Sequence, residues 1–207
     1  FNWSKPFVQL ETTRGCFNTC AFCVSGGEKP VRSLPVETIR ERIQTIHDHG
    51  IRNIRVLDRT FNYNNRHAQA LLNLFHPALL TEELKTALAK MPEGLLHLEA
   101  GIQSLREPVL AVSKRMGKLK DALSGLRFLC SLPNMETHAD LIAGLPLYRL
   151  EEIFEDVRTL AGYPAGEIQL ESLKLLPGTE MRRRAEELGI GYSPMPPYEV
   201  LETREIT

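Results

Sequence analysis

Apolar and polar positions change period repeatedly along this chain, and the changes mark out strands and helices in turn. Short apolar or alternating runs read as strands at residues 7–11, 54–57, 95–100, 136–142 and 168–173. Between them the period lengthens to that of a helix. Ile39, Ile43 and Ile46 make one stripe, stopped by Gly50; Ala68, Leu71, Leu72 and Phe75 make a second; Ile153, Phe154, Val157 and Leu160 make a third. Helices are also expected over 82–90, 108–115 and 118–131. The rhythm fails once. The stripe ending at Phe75 runs straight into His76 and Pro77 and then, capped by Thr81, into another helix, so a strand is expected to be missing between Phe75 and His76.

Alternating strands and helices predict a parallel sheet with helices packed outside it. With the missing strand counted there are six βα units, and the fold class expected is α/β, a partial TIM-type (β/α)6 open barrel. In such barrels functional groups gather at the C-terminal ends of the strands. Five turns hold that position: 16–23, 58–62, 101–104, 143–146 and 176–179. The core domain is expected over 1–192, with 193–207, which carries Pro194, Pro196 and Pro197, as an extension or linker. A chain that opens on Phe1 rather than Met and ends in this way reads as the central domain of a longer protein.

Composition narrows the function classes. The 207 residues suit one domain with a proper core, and 43% hydrophobic with 25% charged residues is a soluble globular balance. A net charge of -1 leaves no basic footprint for nucleic acid or for a membrane surface. No apolar stretch approaches the about 20 residues of a membrane-spanning helix. Three of the four cysteines cluster and one is left over, which is no disulfide framework and fits a reducing cytoplasm.

The clustered cysteines carry the chemistry. Cys16, Cys20 and Cys23 follow the first strand at the spacing C-x3-C-x2-C. Three thiolates in one short loop can hold three irons of a cubane and leave the fourth without a protein ligand. Electron-transfer clusters close all four positions, whereas chemistry at a metal needs an open one. A zinc site or a closed cluster would need a fourth ligand. Cys130, the remaining cysteine, lies in the apolar run 126–129 and reads as a buried core thiol. His47 and His49 read as polar residues at a helix C-terminus, and Arg182, Arg183 and Arg184 with Glu186 and Glu187 as a solvated helix face.

The cysteine spacing, with aromatic Phe22 just before the third thiol, resembles the signature of the radical S-adenosylmethionine (SAM) superfamily. The resemblance implies a 4Fe-4S cluster whose open iron is chelated by the methionine part of SAM. It also implies reductive cleavage of SAM to a 5'-deoxyadenosyl radical that acts on an unknown substrate. The turn 101–104, Arg115 and the run 139–146 look most like the branch with oxygen-independent coproporphyrinogen III oxidase and cobalamin-dependent radical SAM proteins. By that likeness Gln103, Arg115 and Asp140 would contact the ribose and methionine portions, and the backbone near Phe22, Leu175 and Leu176 would meet the adenine. Asp58 stands where a glycine-rich turn is expected; its carboxylate would hold the methionine amine by a charge-assisted bond. The acidic ribose contact expected on the third strand has no counterpart.

The plainer readings are a cap for Asp58, a turn residue for Gln103, a surface charge for Arg115 and an ion pair for Asp140. The likeness further implies an electron donor such as flavodoxin or ferredoxin, and cobalamin held by an amino-terminal domain outside this chain. Two other classes stand against an enzyme: an iron–sulfur electron carrier or scaffold on the same fold, and a zinc-stabilised binding module. Metal analysis and the response of the cluster to SAM separate them.

Overall fold

The computed structural model describes residues 3–5, 7–25, 30–51, 53–59, 63–64, 82–89, 93, 96–115, 117–164 and 167–206. The first half of the chain builds a two-stranded parallel sheet. Strand β1 (Phe7–Leu10) leads into a short β2 (Thr13–Arg14), which pairs antiparallel with β3 (Arg32–Ser33). Helix α1 (Val36–Asp48) then crosses over and delivers β4 (Asn53–Val56) alongside β1. Val8, Ile46 and Ile51 form the core between helix and sheet. Ile39 joins Ile46 in full burial, while Ile43, on the edge of the stripe, stays 39% exposed.

The second half follows the same plan with longer strands. Helix α2 (Glu82–Ala89) precedes β5 (Leu96–Gln103); α3 (Glu107–Val112) and α4 (Leu119–Cys130) lead to β6 (Met135–Ala143). Helix α5 (Leu150–Ala161) leads to β7 (Glu167–Ser172), and the order in the sheet is β5-β6-β7, all parallel. Successive side chains of a strand face opposite ways. Ala100, Ile102, Ala139 and Leu141 therefore share the face that packs with Leu126 of α4 and Leu160 of α5. The result is a partial, unclosed α/β barrel with its helices outside. Five parallel strands are described; the helix read over 65–75 and the strand expected between Phe75 and His76 lie outside the described residues.

Three features differ from the expectation. β5 runs on to Gln103, because Gly101 still pairs with Asp140 of β6 before the register slips. The pair β2–β3 has no apolar period to announce it. After α6 (Glu180–Arg183) and α7 (Ala185–Leu188), strand β8 (Gly191–Tyr192) pairs antiparallel with β9 (Val200–Glu202). The proline-bearing segment thus folds back. The Val200 amide donates to the Leu173 carbonyl at 2.9 Å, and Val200 and Ile206 pack on the core built by Leu145, Tyr148, Ile153 and Leu173.

One buried carboxylate fixes the end of β5. Asp156 of α5, 1% exposed, accepts from the Tyr148 hydroxyl (2.6 Å), the Leu105 amide (2.7 Å) and Nε of Arg106 (2.8 Å). A buried charge is tolerated only with partners such as these. They hold the turn beyond Gln103 against the helix.

Candidate functional site

Gly15 enters the cysteine loop at φ 96, a left-handed turn that any side chain would resist. The loop is held at its middle from two sides. The Ala21 amide donates to the carbonyl of Ser113 at the end of α3 (3.0 Å), and the Met181 amide of α6 donates to the carbonyl of Ala21 (2.8 Å). Ala21 is buried in the large core of the second half, and Phe22 packs half-buried against it. Cys16 and Cys20 are buried, and Cys23 is partly exposed.

No disulfide joins any of these cysteines. Burial pushes the Cys20 thiol above its ordinary range, Arg115 opposes the shift, and the charges of Cys23 and Cys16 add to it. Cys16 and Cys23 therefore both lie within electrostatic reach of Cys20. Among the described residues no three His, Cys, Asp or Glu side chains converge as ligands of a single ion. Cys130 packs half-buried in the separate core behind β5 and β6; the full burial expected for it is not reached, because it ends α4 at the rim of that core.

The ends of the strands bring most of the predicted site residues together. Nη1 of Arg115 lies 3.9 Å from Sγ of Cys20, and its Nη2 donates to the Gly101 carbonyl at 2.7 Å. Gly101 pairs with Asp140 across the β5–β6 ladder. Gln103 takes a left-handed φ of 74 at the register slip. Its amide lies back over Gly101, where a Cβ would come within 2.5 Å of Nε2. Oε1 of Gln103 and Oδ1 of Asp140 are both buried without a hydrogen-bond partner. Burial first, and then the charge of Glu99, push the Asp140 carboxyl up to about 6; Glu171 and Glu167 add to this and His138 opposes it.

Other predicted residues are engaged elsewhere. Asp58 accepts from the Thr12 amide (2.7 Å), the Thr13 amide (2.9 Å) and the Thr12 hydroxyl, which ties the end of β4 to the end of β1. Leu175 and Leu176 lie in the turn beyond β7 rather than on it. The Leu175 amide donates to Tyr198 (2.9 Å), its carbonyl accepts from Nη1 of Arg182 (2.9 Å), and the Leu176 amide donates to the Lys174 carbonyl (3.1 Å).

The structure adds a wall of polar groups that the strand readings passed over. On the face of β5, β6 and β7 away from the helices stand His97, Glu99, Glu136, His138, Asp140 and Gln169. His97 meets Glu136 at 3.1 Å, and His138 meets Gln169 at 3.0 Å and Glu167 at 3.1 Å. The signal was present: every second residue from 97 and from 136 is polar or glycine, up to Asp140. Asn18, 3% exposed inside the loop with its Oδ1 unpartnered, and Ser113, which acts through its carbonyl, had no such signal.

Comparison with known proteins agrees with this geometry. A sequence model of the Radical SAM superfamily matches residues 10–160. A tRNA-2-methylthio-N(6)-dimethylallyladenosine synthase of Psychrobacter sp. (strain PRwf-1) is 27% identical over 183 residues, covering 76% of this chain and 36% of its own. The radical S-adenosylmethionine methyltransferase TsrM of Kitasatospora setae, solved with tryptophan and a SAM analog, superposes with a TM-score of 0.77 at 17% identity over 91% of this chain and 41% of its own. The same protein with cobalamin and a [4Fe-4S] cluster bound gives 0.75 at 18% identity over 97% of this chain and 42% of its own. The chain thus spans well under half of these proteins. Its described residues hold no helix long and apolar enough to cross a membrane.

Proposed function

The chain belongs to the radical SAM superfamily, and we propose that it is the core domain of an enzyme that cleaves S-adenosylmethionine reductively and acts on a small-molecule substrate. Its cofactors as a superfamily member are a 4Fe-4S cluster and SAM. The observation that supports the reading is the placing of Cys16, Cys20 and Cys23 in one loop clamped at Ala21, with Cys130 packed in another core. Cys16, Cys20 and Cys23 would ligate three irons. When bound, the cluster would supply the electron for reductive cleavage of SAM, and SAM would supply the hydrogen-abstracting group.

The chain's own part is binding and orientation. Buried acceptors without donors are costly. Oε1 of Gln103 and Oδ1 of Asp140 are two such acceptors on the residues around Gly101, which Arg115 links to Cys20, and the hydroxyl and ammonium groups of SAM would satisfy them. The backbone at Phe22 would meet the adenine. The amides of Leu175 and Leu176 are already used, and the Leu176 carbonyl already accepts twice from Thr179, so only the remaining lone pair of the Leu175 carbonyl, beside its bond from Arg182, is offered to it. Asp58 would act chiefly by shaping the loop through Thr12 and Thr13, with the spare acceptor capacity of its carboxylate turned to the methionine amine.

Glu99, Asp140 and Glu171 on this side of the sheet, with Glu136 and Glu167 paired to His97 and His138, would disfavour phosphate and favour a neutral or cationic small molecule. The likeness to a tRNA-modifying enzyme supports a second reading, in which the substrate is an RNA base presented by other parts of the protein. Cobalamin would likewise be held outside this domain, and flavodoxin or ferredoxin would supply the electron.

The test is anaerobic reconstitution, reduction and measurement of 5'-deoxyadenosine and methionine. Slow formation of both without substrate is expected, and its loss when Cys16, Cys20 or Cys23 is replaced by Ala, with Cys130→Ala unaffected. A full cluster with excess SAM that shows neither a spectral change nor cleavage would leave the electron-carrier reading in its place.

A further inference from the structure

Arg115 reaches a cysteine sulfur, and the way it is held is specific. Its guanidinium bridges two places far apart in the chain. Nη1 points at Sγ of Cys20 at 3.9 Å, a long N–H···S contact, and Nη2 donates to the Gly101 carbonyl at 2.7 Å. The backbone supports the bridge from below. Lys114 is left-handed at φ 54, and the Arg115 amide donates to the Leu110 carbonyl at 2.8 Å, so the residue is carried off the end of α3 toward the loop. Ser113, two residues earlier, holds the loop at Ala21. The planar fork of arginine serves both acceptors at once, which an ammonium cannot do.

We propose that Arg115 is a positioning residue that sets the reduction potential of the cluster, by directing a fixed positive charge and an N–H donor at the sulfur of Cys20. The inference rests on the reading of Cys16, Cys20 and Cys23 as cluster ligands. Reduction adds one negative charge to the cluster and its thiolates. A cation and a hydrogen bond at a ligating sulfur stabilise that form more than the oxidised one, so the potential rises. This role differs from a contact to SAM because it operates with no SAM present. Gly101 belongs to the device: its carbonyl is the anchor of Nη2, and a Cβ there would lie 3.8 Å from that nitrogen and press on the amide of Gln103.

The experiment is a redox titration of the anaerobically reconstituted protein without SAM, followed by the electron paramagnetic resonance of the reduced cluster. Wild type is compared with Arg115→Lys and Arg115→Met, and SAM affinity is measured separately on each. The expected order of potential is wild type highest, Lys intermediate and Met lowest, with iron content unchanged. Equal shifts for Lys and Met would mean that packing, not charge, is at work and would overturn the proposal. So would SAM-free potentials unchanged in both while SAM affinity falls, since Arg115 would then be a SAM contact only. Loss of iron from both variants would overturn it in favour of a clamp on the loop. Failure of the wild type itself to assemble a cluster would sink the enzyme reading instead, and the two failures are told apart by iron analysis.

Discussion

The amide of Ala21 donates to the carbonyl of Ser113 at 3.0 Å, so the middle of the cysteine loop hangs from the end of the helix that follows β5. This bond uses only the backbone of Ser113. Its side-chain Oγ is fully buried and has no partner. Removing an unsatisfied buried hydroxyl is neutral or favourable. Ser113→Ala is therefore expected to keep the cluster and to gain about 1 kcal/mol of stability. Urea denaturation and iron analysis check it, and a loss of iron would show that the hydroxyl matters after all.

Asp140 makes stability depend on pH. Its carboxyl, raised from 3.8 to about 6 by burial and then by Glu99, keeps its proton in the folded protein where the unfolded chain has lost it. The sign follows from linkage: the folded state binds more protons between these values, so this contribution is present at low pH and is lost as pH rises through about 6. Asp140→Asn should be more stable than wild type at pH 8 and equal to it near pH 4. Urea midpoints at both values decide this. The neighbours Glu99, His138, Glu167 and Glu171 remain in both proteins, so the difference reports Asp140.

Asp156 should be the most costly single polar loss. Asp156→Ala would strand the Tyr148 hydroxyl and the Leu105 amide and leave Arg106 only Glu155 and the Glu152 carbonyl, and a loss of about 3 kcal/mol is expected. Tyr148→Phe removes one bond of the three and should cost about 1 kcal/mol. Equal effects in denaturant would contradict the shared-carboxylate account.

Gly101→Ala separates fold from cofactor. The new Cβ would sit 2.5 Å from Nε2 of Gln103, the far end of a side chain that can swing away. The fold and the iron content should survive while SAM affinity falls several-fold. A SAM titration of the reconstituted cluster reads the difference, and unchanged affinity would remove Gln103 from the SAM site.

Asp58→Asn tests the other end of the site. The carboxylate bonds to Thr12 and Thr13, so the variant should lose stability by about 1–2 kcal/mol and loosen the loop that follows. Iron retention should fall along with stability. A variant of full stability with weakened SAM binding would make Asp58 a direct cofactor contact instead.

Much of this was legible in the chain, for local reasons. The stripe of Ile39 and Ile46 placed α1, and the alternation from Glu136 placed β6, because burial of one face is imposed by the period itself. The turns at the strand ends could be named because parallel strands joined by helices must all point the same way. The proposed ligand set, Cys16, Cys20 and Cys23, could be named from the sequence because the three lie within one loop.

What the tertiary structure decided lies at long sequence separation. Arg115 faces Cys20 across 95 residues, and Asp58 holds Thr12 across 46. Neither residue has a local pattern that singles out its partner, because a long charged side chain meets whatever the packing brings to it. The fold-back of Val200 onto Leu173 is of the same kind: prolines at Pro194, Pro196 and Pro197 suggest a linker, while the pairing depends on an open backbone edge that only the assembled core presents. Periodicity and ligand spacing are properties of neighbours along the chain, so the sequence determined the elements and the thiol set. Register, the slip at Gln103 and the meeting of Arg115 with Cys20 are properties of neighbours in space, and the packed fold alone settled them.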